Sequence, residues 1–131
     1  MEHPKLFEPD DPVVQRVRTL CLALPETYEV EAWGRPTFRI GKRVFAVAGS
    51  SMDRPHTMVF KPDVDERRAL IEDPRFFIPP YFGPAGWLAI GLVLETTDWE
   101  EVGELAETSY RQVALKRQVK LLDEIGPHAR R

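Results

Sequence analysis

Few residues in this chain have the type and spacing that bond-making chemistry requires. The histidines His3, His56 and His128 are scattered, and the single cysteine, Cys21, cannot build a thiolate cage. Zinc and related ions need such ligands clustered at short spacings, so no metal is expected. Ser50 and Ser51 lack the Gly-x-Ser-x-Gly elbow that activates a serine nucleophile, and Ser109 falls in the middle of a helical pattern. The acid pairs Asp10-Asp11 and Glu100-Glu101 stand at expected helix starts, where anions offset the helix dipole. Gly83-Pro84-Ala85-Gly86 precedes a strand pattern and lacks the Gly-Lys-Ser/Thr ending of a phosphate loop. A non-enzymatic protein without a cofactor is the expectation.

Two groups of residues point to binding instead. Arg35, Arg39, Lys42 and Arg43 surround one bend in the segment Trp33–Ala48, and Lys61 follows on the next apolar run. Cations on a β-hairpin can neutralise phosphates along a nucleic-acid groove. Each such contact steepens the salt dependence by ~0.9, so four predict a slope of roughly −3.6 and hence weak, salt-sensitive DNA binding. The second group is aromatic: Trp33, Tyr81, Phe82 and Trp87 lie among prolines and glycines. Rings held by stiff backbone suit a protein partner, a homodimer contact or a small ligand. The competing expectation is that these rings cap the open face of a sheet.

The elements that must carry these residues can be read from periodicity. Asp11-Pro12 is an N-cap followed by a first-turn proline, and Val13, Val14, Val17, Leu20, Cys21 and Leu24 recur at helical spacing until Pro25. Cys21 on that stripe is read as a small core residue. Two alternating runs then flank Gly41-Lys42, a two-residue turn with glycine first, which suits type II′. An unbroken register puts Phe38, Ile40, Phe45 and Val47 on a core face and Arg35, Thr37, Arg39, Val44 and Ala46 on the other, with Arg43 snorkelling at the core-side end. Thr57–Lys61 reads as a strand. Asp63 with Glu66 opens a short helix to about Ile71. Phe76 to Pro84 is a proline-stiffened connector leading to a strand over Trp87–Val93. Asp98 with Glu101 opens a last helix whose apolar face continues to Ile125, before Gly126-Pro127.

The result is a single α+β domain over 1–131, with a core of about 12–117 and a helical extension over 118–131. Its element order is α-β-β-β-α-β-α, an antiparallel β-sheet with helices packed on one side. At 131 residues the chain is long enough for one hydrophobic core without staples. No apolar run approaches the roughly 18 residues of a membrane span, and the acidic, proline-broken start does not read as a signal peptide. A cytoplasmic setting without membrane contact is expected, and the lone cysteine suits it. The net charge of −3 hides a pattern. Residues 1–32 carry three cations and seven anions, and 33–61 carry six and one. Residues 62–110 carry three and eleven, and 111–131 carry six and two. Positive charge therefore collects at the hairpin and the C-terminal segment.

LPETYEVEAWGRPTFRIGKRVFAV resembles the opening signature of the MmcQ/YjbR-like, DUF419-type family. MVFKPDVDERRAL, IPPYFGPAGWLAIGL and ELAETSYRQVALKR resemble its later segments in the same order, so the likeness spans about Val13 to Arg117. That resemblance implies a small α+β fold likened to secretion chaperones and frataxin-type sheets. It also implies a provisional DNA-binding role by likeness to a double-wing transcription-factor domain. It supplies no agreed catalytic residues. This chain departs from the family pattern in its overall acidity and in the tail beyond Arg117.

Overall fold

The computed structural model of the chain describes residues 7–49, 54–82 and 85–125. His3, Ser50, Ser51, Gly83, Pro84, Gly126, Pro127 and His128 lie outside them. In chain order the elements are α1 (Pro12–Leu22), β1 (Thr27–Ala32), β2 (Arg35–Ile40), β3 (Arg43–Ala48), β4 (Thr57–Phe60), α2 (Arg67–Ile71), β5 (Phe76–Phe77), β6 (Leu88–Gly91), α3 (Trp99–Val113) and α4 (Lys116–Ile125). The strands form one antiparallel sheet in the order β1-β2-β3-β4-β6-β5. All four helices contribute to the apolar cluster on one of its faces. This is the expected α+β architecture, with two edge strands added, the six-residue β1 and the two-residue β5, and the last helix divided.

Local chemistry accounts for the ends of the elements. The Asp11 carboxylate accepts the Val13 N–H at 2.8 Å and Pro12 pre-sets the first turn, so α1 starts there. Asp98 does the same for α3, accepting the N–H groups of Glu100 and Glu101 at 3.1 and 3.2 Å. The split between α3 and α4 occurs where Ala114 turns extended (ψ 156°) and the Gln118 side chain accepts the Leu115 N–H at 2.8 Å. No proline or glycine marks that break, and the helical period runs through it. The cap and the packing of Leu122 divide the helix there.

Both hairpins turn in two residues. At Gly41-Lys42 the positive φ belongs to the glycine (61°), as a type II′ turn requires. At Trp33-Gly34 both residues are left-handed (57° and 79°), the type I′ pattern. The register of β2 on β3 starts as expected, Ile40 opposite Arg43 and Arg39 opposite Val44, and then slips: Phe38 faces Ala46. The extra residue is Phe45, a β-bulge. The bulge corrects the unbroken register. Phe45 and Ala46 both point to the helix side, and Val47 moves to the opposite face beside Thr37. The bulged Phe45 carbonyl accepts the Ser109 hydroxyl at 2.6 Å, and the same hydroxyl accepts the Lys61 N–H at 2.9 Å. Ser109 is thus a buried tie between α3, the bulge and the end of β4.

The main core lies between the sheet and the helices: Phe38, Ile40, Phe45, Met58, Phe60, Leu88 and Ile90 below, Val13, Val17, Cys21, Val102, Ala106 and Tyr110 above. Tyr110 meets Phe45 edge-on at 5.7 Å and donates its hydroxyl to the Pro25 carbonyl at 2.9 Å. Burial, with a smaller contribution from Glu26, pushes its phenol up to about 12. Burial likewise raises the Cys21 thiol far above neutrality, so it stays protonated and inert.

Candidate nucleic-acid interface on the helix-free face

Side chains alternate along a strand, so parity decides which residues reach the face without helices. On β1 these are Tyr28, Val30 and Ala32; on β2, Arg35, Thr37 and Arg39; on β3, Val44 and Val47. Val59 on β4, Ala89 on β6 and Phe77 on β5 continue the row. None is acidic. The two carboxylates of β1, Glu29 and Glu31, have the opposite parity, and Glu29 pairs with Arg18 of α1 at 2.6 Å. The acidic segment 62–110 supplies α2 and α3, which also sit on the helix side.

Among the described residues the guanidiniums of Arg35 and Arg39 on the free face meet neutral oxygens only. Arg35 is half-buried and its polar contact is the Gly49 carbonyl at 3.4 Å. Desolvation lowers its pKa from the ordinary arginine value, with the Tyr81 phenol close enough to act in the opposite sense. Arg39 donates to the Thr37 hydroxyl at 3.1 Å. Among the described residues neither arginine is paired with a carboxylate. On the helix side and at the edges the pattern reverses: Arg75 binds Asp73 and Glu101, Arg111 binds Asp123, and Arg117 binds Glu26.

The other expected cations separate. Lys42 is exposed at the hairpin turn. Arg43 does go to the helix side, where its guanidinium meets the Val113 carbonyl at 3.4 Å, at the negative end of α3. Lys61 is half-buried, its N–H held by Ser109 and its carbonyl by the Gln112 amide at 2.8 Å. Arg35 and Arg39 therefore form the centre of the set, and Arg43 leaves it.

The four aromatic residues divide as well. Phe82 and Trp87 are half-buried and, with Phe77 and Val44, cover the fully buried Val47, Val59 and Ala89, a small second core. Trp33 (45% exposed) meets Phe82 edge-to-face at 5.9 Å, and Tyr81 is 92% exposed. Among the described residues three non-glycines have positive φ: Glu26, Trp33 and Tyr81. A bulky side chain in that region is strained by ~1–2 kcal/mol, and such strain concentrates at functional sites.

Two residues of this face carry no clear sequence signal. Tyr28, 42% exposed, donates its hydroxyl to the Gly41 carbonyl; it goes unassigned when β1 is not recognised as a strand. Arg54, in the polar loop before β4, lies over the Phe77 ring at 4.1 Å. Beside it is an open groove of about 450 Å³ lined by Arg54, His56, Arg75, Phe77 and neighbours. His56 and Arg75 are already committed there, to Asp11 and to Asp73 with Glu101. Among the described residues no three metal-binding side chains cluster, and no helix is long and apolar enough to cross a membrane.

The fold is shared with a solved protein. The crystal structure of Deinococcus radiodurans protein DR2400, with a DUF419 domain, superposes with a TM-score of 0.66 at 22% identity, over 86% of this chain and 91% of that one. No curated protein matches the chain significantly. The YjbR family model matches residues 22–112, from the end of α1 through β1–β6 to near the end of α3. The chain belongs to the YjbR family.

Proposed function

We propose that this protein is a non-enzymatic, cytoplasmic binder of nucleic acid, DNA in the first instance, and that the helix-free sheet face is its contact surface. One observation carries the reading: the strands direct no carboxylate to that face, while Arg35 and Arg39 stand on it without a carboxylate partner among the described residues. A guanidinium presents five donors in a fixed fork suited to phosphate, and each of these two uses little of that capacity within the protein. The net charge of −3 does not oppose this, because the acids of α2 and α3 lie behind the sheet. Arg54 over Phe77 extends the cationic character toward β5, and Lys42 extends it toward the turn.

The test is fluorescence anisotropy with labelled DNA across a salt series. Binding at low salt is expected, with log K falling by ~0.9 per neutralised phosphate on a duplex against log salt. The double reversal Arg35→Glu with Arg39→Glu should abolish it. Binding that survives this reversal, or that shows no salt dependence, overturns the reading.

A further inference from the structure

We infer that the strand taken by this face is single, with unpaired bases stacked on Trp33 and Tyr81 and a phosphate held by Arg35 between them. This rests on the nucleic-acid reading above and names the form of the polymer.

The two rings are the reason. Tyr81 is 92% exposed and Trp33 45%, and both are large apolar surfaces left in water by a fold that buries the aromatic rings Phe38, Phe45 and Phe60 of its other face completely. Both occupy left-handed backbone, a conformation that glycine or asparagine adopts more easily than an aromatic residue. Tyr81 gains almost no burial from the fold to account for its placement, and nearly half of Trp33 stays in water although its ring meets Phe82. The contact between Trp33 and Phe82 is edge-to-face, with planes at 70°, so at least one face of the indole is free of it. The Phe82 ring in turn abuts Trp87 at 5.8 Å and is anchored over the second core, which fixes the indole's inclination. A base can stack on a ring held in that way with little loss of side-chain freedom, and every base has a face suited to it.

Duplex DNA does not fit this arrangement well. Its base faces are already stacked internally, so Trp33 and Tyr81 would meet only base edges, sugar and phosphate, none of which offers a ring to stack on. Arg35 is recessed: it is half-buried on this face and its polar contact is a single 3.4 Å bond to the Gly49 carbonyl. A single strand can fold its flexible backbone toward a recessed cation, whereas a rigid helix presents its phosphates on a convex surface. Single-strand sites elsewhere combine aromatic platforms with a cationic track in this manner.

The experiment compares a labelled thymidine oligonucleotide of about 15 nucleotides with a duplex of the same length, at about 20 mM salt. The oligonucleotide should bind more tightly. Trp33→Ala and Tyr81→Ala should each weaken it by about 5- to 100-fold while duplex binding changes by less than about twofold, and Trp33→Phe should restore most of the loss. Arg35→Gln should flatten the oligonucleotide's salt slope by ~0.7. Tyr81 is almost fully exposed, so its truncation leaves the fold intact and the readout clean. Duplex binding as tight as single-strand binding, or an oligonucleotide affinity unmoved by Tyr81→Ala, overturns the single-strand assignment and leaves the nucleic-acid reading standing. If neither probe binds, both fall together.

Discussion

On the helix side of the sheet, Phe38, Phe45, Met58, Phe60 and Leu88 are completely sealed beneath α1 and α3, and Arg18 at the margin is paired with Glu29. On the opposite side Val47, Val59 and Ala89 are sealed by half-buried Phe82 and Trp87, Thr37 is buried with them, and two arginines lie beside them with no acid partner among the described residues. The same strands make both faces, residue by residue in alternation. Parity therefore sorts charge: β1 sends Glu29 and Glu31 one way and Tyr28 and Val30 the other. A chain of net negative charge can in this way hold a face of positive character, which a sum over the sequence cannot reveal.

The largest expected effect comes from truncating one aromatic on each face. Phe45→Ala removes a fully buried ring together with its edge contact to Tyr110, and should lower stability by ~3–5 kcal/mol. Phe82→Ala removes a half-buried ring from the smaller cluster and should lower it by ~1 kcal/mol. Urea denaturation of both variants measures the difference. Equal losses would mean that the second cluster is as integral as the first, and the contrast between the faces would fail.

Next in size is Ser109→Ala. The hydroxyl is fully buried and satisfies both the bulged Phe45 carbonyl and the Lys61 N–H. Removing it strands the buried Phe45 carbonyl and the part-buried Lys61 N–H, for a loss of ~1–3 kcal/mol. Hydrogen exchange should show the Lys61 amide opening faster while amides of β1 and β2 keep their protection. A uniform increase would assign the serine to global stability instead of to the bulge.

The legible and illegible parts of this fold differ for physical reasons. The Gly41 turn, the Asp11 and Asp98 caps and the apolar stripes of α1 and α3 are local signals, and they place the sheet's centre and its helices. β1 is harder to see because its inner-facing positions are Thr27, Glu29 and Glu31, so polar residues stand where an apolar face is sought. The bulge is silent because residues 44–48 read Val-Phe-Ala-Val-Ala: without polar–apolar contrast, a slip of phase leaves no trace. The break at Ala114 is silent because a tertiary cap, not a helix breaker, causes it. For the candidate site, Arg35, Arg39 and the four aromatics are readable from the sequence. Their meeting on one face is not, since Tyr81 and Phe82 arrive from a connector more than 40 residues beyond β2.

The smallest stability effect carries the sharpest information about the two faces. Arg35→Met keeps a flexible apolar stem but removes a desolvated charge that no carboxylate among the described residues offsets. On the helix side, removing one partner of a pair such as Arg18–Glu29 would strand the other; here nothing is stranded except a long contact to the Gly49 carbonyl. Stability should therefore hold within about 0.5 kcal/mol or rise slightly, moving the melting temperature by no more than about 2 °C. DNA affinity should fall at the same time, with a shallower salt dependence. A structural arginine gives the reverse result, a loss above ~1 kcal/mol with binding unchanged. Because stability and binding are expected to separate at Arg35, thermal melts and anisotropy on this one variant distinguish a cation kept for the fold from a cation kept for a ligand.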